Sequence, residues 1–472
     1  MGHRLSFRHT LQAFVILATF LAGQVFAPLS AAAFGDFTLK DEMELGRKFN
    51  VLIRSRLPLV QDPEVVRYVN DVVQRLVETM PPRPFPFTVS VLRDNSLNAF
   101  AVPGGYVFVH TGLIMTLEHE SELAGVLGHE LAHVTQRHIA SRIEKSQWIS
   151  ILSLLGVLAG AFLGGEGGEA AMAGSMAASQ SLMLDYSRTD ENEADQVGMN
   201  YLVKAGYAPT GMEGAFAKMS RKQWLMGSKI PSYLSTHPGL TDRMHDMAAR
   251  TRQMPAAVQN RKDDDSRFLR VQALVRARYG DPNVSAQAFA KQLEGPNRCV
   301  ALMGQGILAA KQNRINDARK AFDDAMACSP QDELVIREAG IFHYTKGDRD
   351  KGVRLLEKAV RMDADDIMAQ FYYSRILADA GRTDEAVRAI RRVLRDEPED
   401  PELHDYLARY LAQQRRMFLA NLHMAYSALY LNNADRTEQF LEKAKTAAQG
   451  ADDKRELDRF ETIYKERKQY WK

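Results

Sequence analysis

Cysteine is almost missing from this chain, with only Cys299 and Cys328 in 472 residues. Neither lies near the N-terminal segment, which excludes a lipid attached there. Charge of one sign is also missing: the formal charge is +2. Arg4 and Arg8 fall in a leading segment without acidic residues, so the remainder is close to neutral. A surface built for polyanions is therefore excluded, and nucleic acid with it. The third absence is a long apolar run. Leu11–Ala22 and the stretch over 149–163 both fall short of the ~20 residues that span a bilayer.

The leading segment has its own logic. Two arginines, an apolar stretch and the small-x-small signal Ala31-Ala32-Ala33 predict a secretory signal over 1–33, cut after Ala33, with an uncleaved anchor as the alternative. The expected product is exported, soluble and free of a lipid anchor. Two cysteines in an oxidising compartment can pair.

The rest is long enough for two or three domains. Residues 38–80 read as helices: Leu45, Phe49, Leu52 and Ile53 form one apolar stripe, and Val65, Val69, Val72, Val73 and Leu76 another. Prolines 81, 82, 84 and 86 end that region. Strands are predicted at Thr88–Leu92, Ala99–Val102 and, after the Pro103-Gly104-Gly105 turn, Tyr106–His110. A helix is expected from Leu113 to His138. The run over 149–163 predicts a helix buried against the core, with contact to a membrane surface as the alternative, and 170–184 reads as a further helix.

Near Pro255 the character changes. Residues 259–265 are polar and read as a linker, and beyond them the chain repeats. Gly306, Ala318, Phe322, Ala325 and Pro330 are followed at a period of about 34 residues by Gly340, Gly352, Leu356, Ala359 and Ala364, and again by Ser374, Ala386, Ile390, Val393 and Pro398. This fits the tetratricopeptide pattern, in which small residues let paired helices approach. Less regular helix pairs flank these three copies. Cys299 opens one repeat's first helix and Cys328 lies near the end of its second, so an antiparallel pair brings them within reach of a disulfide. The expected domains are a first one over 34–255 and a repeat domain over 256–472.

The chemistry is concentrated in His129-Glu130-Leu131-Ala132-His133. Two histidines four residues apart on a helix are about 400° apart, hence on one face, and can hold one Zn²⁺ with Glu130 beside the open position. His138 lies nine residues past His129, on the far side of a continuous helix, and is not expected to be a ligand. Glu191 and Asp195 are also four apart. They read either as a third ligand with a partner that orients a ligand histidine, or as one face of a solvated acidic helix.

HELAH followed some sixty residues later by SRTDENEAD resembles metallopeptidase family 48 of the zincins, the family of HtpX and the CAAX-prenyl proteases. Asn98-Ala99-Phe100-Ala101-Val102-Pro103-Gly104-Gly105 with Thr111-Gly112-Leu113, and Ser235-Thr236-His237-Pro238 with Arg243, resemble two further elements of that family. The order of signal segment, protease and repeats is similar to its periplasmic branch.

The resemblance implies a mainly α architecture: an α+β zincin-like domain with a small sheet, then an α-solenoid of repeats. It implies one Zn²⁺ on His129, His133 and Glu191, with Glu130 as base and Asp195 behind the ligands, in a gluzincin-type endopeptidase. His237 is a candidate fourth ligand that keeps the enzyme latent, or an oxyanion group; the branch favours the first role. The strand at Asn98, Ala99, Phe100, Ala101 and Val102 reads as an exposed sheet edge that pairs with extended substrate, with an ordinary internal strand as the alternative. His110 is expected to pack. The implied partners are unfolded or misassembled outer-membrane proteins and the β-barrel assembly machinery. A different class, a repeat-based chaperone or adaptor with a structural zinc, is the alternative.

Overall fold

Thr38 and Asp41 open the first helix with a capping box, each side chain accepting from the other's backbone amide at 3.3 and 2.9 Å. The structure, a computed structural model, describes residues 37–146, 186–226, 233 and 236–470. The expected signal segment, the apolar run over 149–163 and the helix expected over 170–184 lie outside these.

Helix α1 (Leu39–Arg56) and helix α2 (Pro63–Val77) bury the two expected stripes. Asp62 caps α2, and Pro63 occupies its first position, where no amide is required. The strands β1 (Thr88–Leu92), β2 (Ala99–Val102) and β3 (Tyr106–His110) form one sheet of order β1-β3-β2. β3 runs parallel to β1 and antiparallel to β2. Gly104 and Gly105 turn the β2–β3 corner at φ 82° and 85°, a conformation that favours glycine.

The long helix expected after β3 is three. α3 (Thr111–Thr116) and α4 (Glu120–Thr135) are separated by an extended Leu117, and α5 (His138–Ser146) begins after Arg137, whose φ is 54°. A left-handed residue ends the helix there and redirects the chain. The premise of a continuous helix through His138 is therefore corrected. α6 (Arg188–Lys204), capped by Ser187, then crosses α4. The crossing is close because Gly128 meets Gly198: a Cβ on Gly198 would lie 2.9 Å from the Gly128 backbone. Helices α7 (Gly211–Met226) and α8 (Leu240–Gln253) complete this part.

A short α9 (Ala256–Gln259) precedes the segment read as a linker. That segment is anchored: Asp265 accepts from the Glu120 amide at 2.8 Å and contacts His119 Nδ1 at 2.7 Å, while Asp263 accepts from the Ser121 hydroxyl at 2.5 Å. Its acidic residues thus cap the N-terminus of α4, where backbone donors lack partners.

Twelve helices follow in antiparallel pairs: α10 (Ser266–Tyr279), α11 (Pro282–Gln292), α12 (Arg298–Lys311), α13 (Ile315–Cys328), α14 (Glu333–Lys346), α15 (Arg349–Met362), α16 (Ile367–Asp379), α17 (Thr383–Asp396), α18 (Pro401–Gln413), α19 (Met417–Tyr430), α20 (Ala434–Ala447) and α21 (Ala451–Lys468). The periodic small positions do what the pattern asks. A Cβ on Gly352 would sit 2.2 Å from the Tyr344 amide nitrogen, and one on Gly306 would sit 3.0 Å from the Phe322 ring. Cys299 and Cys328 form a disulfide, with Cα atoms 5.5 Å apart.

The solenoid curls around the first part rather than extending from it. One apolar core runs without a break from Val60 through the HExxH helix to Phe342. At the far end α21 returns to α1, where Arg467 donates to the Arg54 carbonyl at 3.1 Å and Arg54 pairs with Glu399 at 2.7 Å. No helix among the described residues is long and apolar enough to cross a membrane.

Candidate metal centre

α4 supplies His129, Glu130 and His133, and the glycine crossing brings α6 close enough for Glu191 to reach them. His237, just ahead of α8, closes the group. His129, His133, Glu191 and His237 offer ligand atoms all within 4.8 Å of one another, and all four residues are buried.

The distances test the fit. His129 Nε2 lies 3.0 Å from His133 Nε2, 3.6 Å from Glu191 Oε2 and 3.3 Å from His237 Nδ1. Glu191 Oε1 lies 3.4 Å from His133 Nε2 and 2.9 Å from His237 Nδ1. Donors about 2.0–2.1 Å from a tetrahedral Zn²⁺ stand roughly 3.4 Å apart, so these edges outline such a site. The Glu191 oxygen Oε2 is buried and meets the Arg243 guanidinium. The donor set is that of a zinc site rather than of a hard, all-oxygen cation.

Each ligand histidine is gripped from behind. Asp195 Oδ1 is 2.9 Å from His129 Nδ1, and His138 Nδ1 is 2.8 Å from His133 Nδ1. With the outer nitrogens engaged, both Nε2 atoms face the centre. His138 is outside the ligand group, as the sequence reading held, but for another reason: the break at Arg137 swings it behind His133. Its contact there is a function that the reading missed. Burial lowers the pKa of both His129 and His133, favouring the neutral, metal-binding form.

Arg243 was legible as part of a motif, but without a role. It donates to Asp195 through Nε and Nη2, both at 2.7 Å, pairs with Glu191, and lies over the Phe216 ring at 4.5 Å. Two tyrosines were missed altogether. Tyr233 stacks on His237 at 4.3 Å, and Tyr186 lies against both His133 and His237 at 3.7 and 5.1 Å. Ring stacking leaves no spacing signal along a sequence, so only the structure reveals it.

Glu130 is fully buried beside this cluster. Desolvation pushes its pKa up to about 7, with the Glu191 charge adding and the nearby His237 opposing. Its Oε1 lies 3.6 Å from His237 Nε2, and neither atom has a hydrogen-bond partner. Asn98, Ala99, Phe100, Ala101 and Val102 are all buried, with β2 packed on α4. The His110 amide bonds to the Asn98 carbonyl at 3.0 Å, which by antiparallel alternation turns the Ala99 and Ala101 amides to the free edge of β2. The Ala101 amide meets Glu130 there. His110 is packed, its Nδ1 2.7 Å from the Ser96 hydroxyl.

Comparison with known proteins agrees with this geometry. Residues 61–251 match peptidase family M48, and residues 343–410 match a tetratricopeptide repeat. A Vibrio cholerae protein named as a beta-barrel assembly-enhancing protease is 37% identical over 230 residues, 48% of this chain and 47% of that protein. The chain thus spans about half the length of that relative. The Escherichia coli (strain K12) beta-barrel assembly-enhancing protease is 26% identical over 386 residues, 80% of this chain and 78% of that one. The mitochondrial metalloendopeptidase OMA1 of Schizosaccharomyces pombe is 30% identical over 177 residues, 38% of this chain and 50% of its own.

Proposed function

We propose, from the family M48 match over residues 61–251 and the tetratricopeptide match behind it, that the chain is a periplasmic zinc endopeptidase acting in outer-membrane β-barrel assembly and its quality control. The observation that carries the chemistry is the tetrahedral outline drawn by His129, His133, Glu191 and His237 around one point, with Glu130 beside it.

Zn²⁺ held there supplies Lewis-acid polarisation of a peptide carbonyl and acidifies water. Glu130 accepts a proton at its unpartnered Oε1 and returns it to the leaving amine. Burial raises the carboxyl's pKa, and a bound dication would draw it back toward the base form that the first transfer needs. Asp195 and His138 keep the two imidazoles aimed. The edge of β2 away from β3, where the Ala99 amide turns outward and the Ala101 amide meets Glu130, is suited to hold extended substrate backbone irrespective of sequence. Because β2 is buried, with α4 packed on it, such binding requires its cover to open.

His237 is the fourth donor and the latch. Its ring occupies the vertex that a substrate carbonyl or water needs, clamped by Tyr186 and Tyr233. Replacing it with alanine raises cleavage of an unfolded peptide; a fall in rate would instead assign it to the oxyanion. The partner proposal rests on the two beta-barrel assembly-enhancing relatives and on the repeats, whose class of surface docks proteins. Partners of this reading are stalled outer-membrane proteins and the machinery that assembles them.

The decisive experiment couples metal analysis to casein cleavage, with and without chelator. One zinc per chain and chelator-sensitive cleavage are expected. Glu130→Gln retains the zinc and the fold but loses ~10²–10⁴-fold in rate, the usual worth of a positioned base. A zinc-loaded protein that never cleaves, and whose Glu130→Gln variant keeps every cellular role, would establish the adaptor reading instead.

A further inference from the structure

Where α10 turns into α11, a cavity of about 290 Å³ opens to solvent, with none of the four candidate ligands in its lining. Met115, Val284 and Ala288 give it an aliphatic wall, and Val284 is 65% exposed. Lys222 of α7 and Arg276 of α10 also line it.

Among the described residues no carboxylate pairs with Lys222, and one, Glu118, acts on Arg276. Burial alone lowers the Lys222 pKa, with no carboxylate acting on it. Burial also lowers Arg276, opposed by the charge of Glu118. One Arg276 guanidinium nitrogen donates to the Met115 carbonyl at 2.7 Å, fixing the group at the cavity. The one acid in the lining, Asp281, accepts from the Asn283 and Val284 amides at 2.9 and 3.0 Å. It serves as the cap of α11. A half-buried lysine and a mostly buried arginine beside an exposed aliphatic wall form an amphipathic receptor for an anion that carries an apolar group.

We propose that this cavity captures the C-terminal carboxylate of a polypeptide ending in an apolar residue. The carboxylate lies between Lys222 and Arg276, and the last side chain lies against Met115 and Val284. An inorganic anion would leave the aliphatic wall uncovered, and an internal segment of chain would leave the cations unpaired. The volume admits a terminal residue but not a folded surface. Capture of a C-terminal carboxylate is a recognised mode of peptide binding, ordinarily by backbone amides; here two cations take that part. The site requires neither zinc nor Glu130, so it stands independently of the catalytic reading.

The test is fluorescence polarisation with the full chain carrying Glu130→Gln, so that the probe survives. The probes are a labelled heptapeptide ending in phenylalanine with a free carboxylate, and the same peptide amidated. Inorganic phosphate serves as competitor. The free acid is expected to bind with a dissociation constant on the order of 0.1 mM. Amidation is expected to weaken it by about tenfold or more, the worth of a charge-assisted bond. Lys222→Gln and Val284→Asp, both at solvent-facing positions, should each produce a comparable loss while leaving the thermal midpoint unchanged. Equal binding of acid and amide, or unaltered binding by both variants, would overturn the proposal. Complete displacement by equimolar phosphate would also overturn it, by reducing the cavity to a general anion site.

Discussion

Asp195 works in two directions at once. One of its oxygens lies against His129 Nδ1 at 2.9 Å, and both oxygens accept from Arg243 at 2.7 Å. The arginine keeps the acid ionised, and the ionised acid keeps the histidine proton on Nδ1, leaving Nε2 free for metal. Asp195→Asn preserves the shape but loses that charge. Its expected effect is a 10–100-fold weaker zinc affinity in chelator competition, the usual consequence of disturbing a group behind the ligands. His138→Ala should weaken zinc in the same range through His133, since that histidine holds the other Nδ1. If zinc affinity is unchanged in both variants, the orienting role is wrong. The ligand histidines were legible because helical spacing alone puts them on one face. His138 was not, because its position depends on a single residue with φ of 54°, and nothing in Gln136-Arg137 marks it.

At the scale of elements, the sequence was most informative where one period governed a stretch. All three strands and the repeat helices lie where alternation and the recurring small residues put them. Interactions between elements were less legible. Residues 259–265 have a linker's composition, yet Asp263 and Asp265 reach back to cap the helix that carries the zinc motif. The closing helix α21 has no strong apolar stripe to announce it, and it was not anticipated. The cap is testable. Asp265→Ala should cost about 1 kcal/mol of stability, as lost N-caps do. The loss should also depend on pH. The Asp265 hydrogen bond raises the pKa of His119 despite some burial. That contribution is therefore complete below the ordinary histidine value and is lost as pH rises through the raised one. His119 is 52% exposed, so this part is small. The gap in thermal midpoint between native and variant protein should be wider at acidic than at alkaline pH; the opposite trend would refute the pairing.

For the whole molecule, the apolar contacts predict how it comes apart. A single core joins the protease to the first repeats as far as Phe342, while separate clusters hold the helices from Ile367 onward. Between these regions lies a buried ion network. Arg337 meets Asp366 at 2.8 Å, Glu338 at 3.2 Å and Glu64 of α2 at 3.3 Å, and Arg278 pairs with Glu338 at 2.6 Å and with Asp62. Removing Arg337 leaves the buried Asp366 without its cation, while Glu338 keeps Arg278; breaking a buried pair in this way typically costs about 3 kcal/mol. Most of the network belongs to the large core, since Asp62 and Glu64 open the helix on which the sheet packs. The C-terminal repeats are held to α1 mainly by partly exposed pairs such as Arg54–Glu399, which contribute little. Calorimetry is therefore expected to resolve two transitions, the C-terminal repeats melting first. Arg337→Ala should lower the upper transition, in which protease and early repeats unfold together. A single transition in the native protein would show the closed solenoid to be one cooperative unit. A variant in which only the lower transition moved would place Arg337 with the late repeats, against the continuity of the core.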